Sequence, residues 1–143
     1  MLPSVVNLQR KVKLDTAVLQ RFVAELVSGV DEAQNRPFSV ALVSDRRMTE
    51  LNYFFRNKKA TTDVLSFPND AEAFESENED NLGDVVISVE QAKRQAAENK
   101  LTLENEIKQL MLHGLLHLCN YDHETDNGEM NSRELELRES LGI

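Results

Sequence analysis

Between Thr102 and Cys119 the chain carries Leu110, Met111, Leu112, Leu115, Leu116 and Leu118 in a stretch that reads as one helix, apolar on nearly every side. Such a helix cannot lie on a surface; it has to run through the middle of the fold with other elements packed around it. Thr102 can cap its start, and Glu104 and Glu106 suit the positive end of its dipole. The same helix holds His113 and His117, and the only other histidine, His123, follows shortly after. Four positions amount to about 40° of helix rotation, so the first two imidazoles leave one face, one turn apart. A tetrahedral site cannot be completed along one helical stripe, and the third ligand has to arrive from beyond the helix. Asn120 provides the route, because Asn tolerates the left-handed conformation in which helices end and chains turn back.

Three protein ligands and an open fourth position mark a catalytic rather than a structural zinc site. One histidine on an apolar face is usually a satisfied core residue. Three at this spacing would leave three polar rings to be satisfied, and a single metal ion does so. The sequence therefore predicts one zinc ion per chain held by His113, His117 and His123. Cys119 is a rival donor, but it lies about 200° around the helix from His117 and reads as a small buried hydrophobe.

The remaining elements are expected as follows. Ser4 to Gln9 reads as a short strand, and Asp15 caps a helix to about Val27 with an apolar stripe through Val18, Leu19, Phe22, Val23, Leu26 and Val27. Phe38 to Val43 reads as a strand. Ser44 or Asp45 caps a short helix carrying Met48, Leu51, Phe54 and Phe55. Asp63 to Phe67 is a strand ended by Pro68, Asn69 to Asn81 a mobile acidic loop, and Leu82 to Val89 a strand rich in β-branched residues. Glu90 to Asn99 is helical, and Asp126 with Glu129 matches a capping box opening a last helix to about Leu141. Early strands flanked by helices give an α+β class, and 143 residues without a linker give a single domain, 1–143. One cysteine, no basic-then-apolar leader and no apolar run near ~18 residues point to a cytoplasmic protein with no membrane partner.

The net charge is −9, which disfavours nucleic-acid binding through a broad basic surface. The charge is uneven, however. Ala60 to Ala92 holds nine acids and no Lys or Arg, whereas Arg46, Arg47, Arg56, Lys58 and Lys59 face only Glu50. A local basic patch on an acidic body can still grip phosphate.

The histidine spacing resembles the helix-and-turn of metzincin metalloproteases, with Gly114 where those enzymes have their general-base Glu and Asn120 where they have Gly. A fuller resemblance is to the YbeY family of bacterial rRNA maturation factors. Its signature is matched in register by His113, Gly114, Leu116, His117, Leu118, Tyr121, Asp122 and His123, with Asn120 replacing the usual Gly. Leu51-Asn52 with Arg56, the run Thr62 to Pro68 and the run Leu82 to Ile87 resemble the family in order and spacing. The resemblance implies a metal-dependent, single-strand-specific endoribonuclease acting in ribosome maturation, notably at the 3′ end of small-subunit rRNA. Its partners would be single-stranded RNA and ribosomal subunits or ribosome-associated proteins. It also implies a mixed sheet of about four strands packed against five or six helices, with the metal in a cleft above the central helix.

The family's functional arginine falls on Arg56, which on its own would read as a solvated residue at a helix end. In the implied reaction zinc activates water or polarises the phosphate, and Arg56 forks onto phosphoryl oxygens. Lys58 and Lys59 track the backbone on either side. Asp63, Asp84, Asp122 and Asp126 are open choices for orienting the imidazoles. Ser66 is expected to bond backbone, and no general base is identified. Two alternatives stand beside the nuclease: a peptidase-like or amidase-like zinc hydrolase, and a non-enzymatic ribosome assembly factor with a structural metal.

Overall fold

The computed structural model describes residues 4–69, 81–122 and 125–143. Four strands, β1 (Ser4–Asn7), β2 (Ser39–Val43), β3 (Val64–Pro68) and β4 (Gly83–Ser88), form one mixed sheet in the order β1-β2-β4-β3. The first three neighbours are parallel, and β3 runs antiparallel to β4 at the edge. Five helices accompany the sheet: α1 (Thr16–Gly29), α2 (Asp45–Arg56), α3 (Val89–Asn99), α4 (Leu103–Leu118) and α5 (Glu129–Leu141), with a 3-10 turn at Asp31–Ala33. The class is α+β, as expected. Among the described residues no helix is long and apolar enough to cross a membrane.

Alternation along the strands divides the apolar residues between the two faces of the sheet. Val40, Leu42, Val85 and Ile87 join the larger core with α1 and α4, while Leu65 and Val86 join Val43 and Met48 of the α2 side. Helix α4 is the buried centre: Ile107, Met111, Leu112, Leu115 and Leu116 are fully enclosed. It sits unusually close to the β3–β4 pair. A Cβ on Gly114 would stand 2.5 Å from Val85 Cγ1, and Ser66 Oγ donates to the Gly114 carbonyl at 3.2 Å. Ser66 thus bonds backbone, as its sequence context predicts.

Local bonds set several boundaries differently from the sequence expectation. β1 stops at Asn7, because the Gln9 amide turns inward to bond Asn7 and both polar groups of Val12's backbone. Ser44 caps α2 by accepting from the Arg47 amide, which leaves Asp45 free to accept from Ser88, Arg94 and Thr61. Pro68 ends β3 as its last residue, on an edge strand, where its missing N–H is tolerated.

The capping box expected at Asp126 does not form in that shape. α5 begins three residues later behind Gly128, whose φ of 100° suits a glycine. Asp126 accepts instead from the Gly128 and Met130 amides, and Glu129 from the Asn127 amide. The acidic loop expected between Asn69 and Asn81 lies, apart from its ends, outside the described residues.

One tertiary clamp ties the chain after α4 to both ends of the molecule. Glu32 accepts two bonds from Arg133, at 2.8 and 2.9 Å, and one from the Tyr121 hydroxyl at 2.9 Å. The Arg133 bonds chiefly hold the Glu32 carboxyl down, at about 2 against an ordinary 4.5.

Two measurements check this packing. Gly114→Ala gains helix propensity of about 1 kcal/mol but drives a methyl into the enclosed, stiff Val85, an overpacking of about 1–3 kcal/mol. Net destabilisation is expected in urea unfolding, and Val85→Ala should cost less in that background than in the parent; an additive pair would contradict the contact. Glu32 contributes stability in full above about pH 4.5 and loses it as pH falls toward 2, because its carboxyl is depressed on folding. The stability gap between the parent and Glu32→Gln should therefore be flat above pH 5 and shrink below it; a gap that widens on acidification would contradict the clamp.

Candidate metal centre and cleft

His113 and His117 project from the last turns of α4 toward one another. Their Nε2 atoms stand 3.2 Å apart, and the ring centroids are 4.7 Å apart at 76°. Each ring is held from behind by its other nitrogen. His113 Nδ1 bonds Glu134 Oε1 at 2.6 Å, and His117 Nδ1 bonds the Tyr121 carbonyl at 3.1 Å. A carbonyl oxygen can only accept, and so can an ionised carboxylate, so in both bonds Nδ1 carries the proton. With both Nδ1 atoms so engaged, the two Nε2 atoms face a common point, which is how histidines present themselves to a metal.

Glu134 is the residue that sequence reasoning missed. It is 7% exposed. Burial raises its carboxyl, but the bond to His113 and the charge of Arg138 outweigh burial and leave it below the usual range. Arg138 Nη2 takes its second oxygen at 2.7 Å. The available signal was an acid standing between Met130 and Leu137 on the buried stripe of α5, where an apolar residue would be ordinary.

Of the acids named from sequence, Asp63 and Asp122 line the cleft beside the histidines. Asp126 serves the turn before α5, and Asp84 is paired across the sheet from Phe67. None of the four takes the place of Glu134 behind His113.

Past the helix, Asn120 has φ of 73°, the left-handed turn expected of it. The Tyr121 amide closes back onto the Leu116 carbonyl at 3.1 Å, and this brings the Tyr121 carbonyl to His117. His123 lies outside the described residues. Cys119 is half-buried against the core. Burial, aided by the charge of Glu32, pushes its thiol up to about 11, in keeping with a small buried hydrophobe.

The histidines open into a cleft of about 740 Å³ whose lining includes Arg56, Thr62, Ser66, Asn120 and Asp122. Arg56 ends α2, followed by Asn57 in the left-handed conformation. Asn52, buried at 3% exposure, donates to the Ala60 carbonyl at 2.8 Å and so fastens the loop carrying Lys58 and Lys59. A second hollow of about 640 Å³ lies on the other side of His113, lined by Glu98, Glu106, Glu134 and Arg138 among others. The first cleft brings an arginine to the histidines, and the second is acidic.

Comparison with known proteins is consistent along the chain. The family model described as Endoribonuclease YbeY matches residues 4–142. A protein named endoribonuclease YbeY from Nautilia profundicola is 45% identical over 76% of this chain and 75% of its own length. One of the same name from Solibacter usitatus is 42% identical over 87% and 78%. A third, from Syntrophus aciditrophicus, is 37% identical over 92% and 84%. The solution structure of TM1509 from Thermotoga maritima superposes with a TM-score of 0.62 at 28% identity, covering 95% of this chain and 85% of that one. By sequence over nearly its whole length, and with a sheet and helices of the same arrangement, the chain belongs to the endoribonuclease YbeY family.

Proposed function

We propose that this protein is a zinc-dependent endoribonuclease that cleaves single-stranded RNA during maturation of ribosomal RNA, at the 3′ end of the small-subunit species. We further propose that it works in the cytoplasm on ribosomal subunits or with ribosome-associated proteins. The observation that carries the metal part of this reading is the pair of Nε2 atoms 3.2 Å apart. Two nitrogens at about 2.0–2.1 Å from a tetrahedral zinc stand about 3.3 Å from each other. With each ring fixed from behind, the observed spacing suits two ligands of one ion. His123 is the proposed third ligand, on its spacing and on the turn at Asn120. Membership of the endoribonuclease family supports RNA as substrate and phosphodiester hydrolysis as the reaction.

Glu134 and the Tyr121 carbonyl hold the rings of His113 and His117 in one orientation, with Nδ1 turned away from the place the ion would take. A zinc ion bound there supplies Lewis acidity toward a phosphoryl oxygen and lowers the barrier to deprotonating water near neutral pH. Arg56, across the cleft, presents its guanidinium fork to the phosphoryl oxygens as their charge grows.

A peptidase reading lacks support at one specific place. The position after the first histidine, where a metzincin keeps its catalytic Glu, here faces Val85 with no room for a side chain. An assembly factor without activity is likewise disfavoured by relatives named as endoribonucleases.

Elemental mass spectrometry should find about one zinc per chain. Glu134→Gln should fold yet bind zinc about 10–100-fold more weakly. Arg56→Ala should keep its zinc and lose about 10²–10³-fold in kcat/KM on single-stranded RNA. Folded parent protein that takes up no zinc on reconstitution would refute the metal reading, and full activity in Arg56→Ala would refute the phosphate role.

A further inference from the structure

The aromatic side chains at the end of α2 take no part in the core. Tyr53, Phe54 and Phe55 are 49%, 79% and 57% exposed, three in succession immediately before Arg56. They are nevertheless ordered against one another. Phe54 and Phe55 meet edge to face with centroids 4.9 Å apart, and Phe55 meets Phe67 of β3 in the same way at 5.0 Å. Lys59 Nζ stands 5.6 Å over the Tyr53 ring. Scattered exposed apolar residues need no explanation. A braced row of rings that runs directly into Arg56, which itself lines the cleft of the histidines, and is followed by Lys58 and Lys59 is a preformed surface of a particular chemistry.

Open ring faces flanked by cations match what an unpaired nucleic-acid strand offers, because its bases can stack while its phosphates meet the charges. A duplex keeps its base faces inside its own stack and cannot use such rings. Charge decides between occupants. On a chain of net charge −9 the stretch from Arg46 to Lys59 carries five bases against one acid, so a polyanion is drawn toward it.

We propose that Phe54 and Phe55 form a stacking platform for an unpaired base of the RNA strand, beside the phosphate that Arg56 holds, and that this platform is what makes the enzyme prefer single strands. The proposal rests on the ribonuclease reading above. It adds the residues by which strandedness is sensed: the histidines and Arg56 act on any phosphodiester that reaches them, whereas the rings admit only a strand with free base faces.

The test is to titrate the zinc-loaded parent and a Phe54→Ala, Phe55→Ala double variant with a short oligoribonucleotide carrying a fluorescent purine analogue. Each is measured against the single strand and its duplex, with cleavage followed in parallel. The parent should quench the analogue and the double variant should not. The variant should bind the single strand at least about fivefold more weakly and show a raised KM with little change in kcat, while its duplex affinity and zinc content stay as in the parent. Phe54→Trp should retain the quenching. If the double variant does not fold, Phe54→Ala alone, at the more exposed ring, gives the same comparison. A folded variant that binds and quenches like the parent overturns the proposal and leaves the rings to a protein partner. Parent protein that neither binds nor cleaves RNA would refute the ribonuclease reading itself, and the platform with it, so the two failures are told apart by the parent alone.

Discussion

The close seating of α4 on the β3–β4 pair governs where everything else in the site lies. The helix can approach this far only because residue 114 has no side chain; a methyl there would already meet both branches of Val85. Ser66 then reaches the Gly114 carbonyl from the sheet edge. With one flank of the helix pressed to the sheet, the flank bearing His113 and His117 faces the cleft floor, and β3 becomes one wall of that cleft. The same glycine that brings helix and sheet together removes the position at which a metzincin carries its base. In this chain the packing of the core and the choice of chemistry are decided at one residue.

Around that seat, one local contact and three long-range ones fix what the helix alone would leave loose. Glu134 from α5 steadies His113, the Tyr121 carbonyl steadies His117, and the Tyr121 side chain is itself tied to Glu32, which Arg133 holds from α5. The turn after α4 and the last helix thus form one bracket behind the two imidazoles. Charge is uneven around it: Glu98, Glu106 and Glu134 line the hollow at His113, while Arg56, from the basic stretch between Arg46 and Lys59, lines the cleft of the histidines. An acidic protein can thereby act on a polyanion without a broad basic face.

The elements that were legible in the sequence are those whose signal is local. The all-round apolar run of α4, the spacing of His113 and His117, the left-handed Asn120 and the β-branched run of β4 each follow from short-range periodicity or backbone preference, and each stands where expected. Caps were less secure because near neighbours compete for the same amides. Asp126 serves α5 from two residues before its cap, and Ser44 rather than Asp45 caps α2. Partners distant in the chain were not legible at all. Nothing near Glu134 in sequence announces His113, and Glu32 lies far from both Tyr121 and Arg133. The acids singled out from motif proximity, Asp63, Asp84, Asp122 and Asp126, were plausible because they were close along the chain. The residue that steadies His113 came from another helix.

His113 and His117 are held by their Nδ1 atoms, and the proposed site stands or falls on whether both Nε2 atoms then serve one ion. Anomalous diffraction at the zinc absorption edge, from crystals of zinc-loaded protein, addresses it directly. One strong peak is expected about 2.0–2.1 Å from Nε2 of both histidines, with Glu134 still bonded to His113 Nδ1. A peak bound through Nδ1, or one lying only in the acidic hollow behind His113, would contradict it.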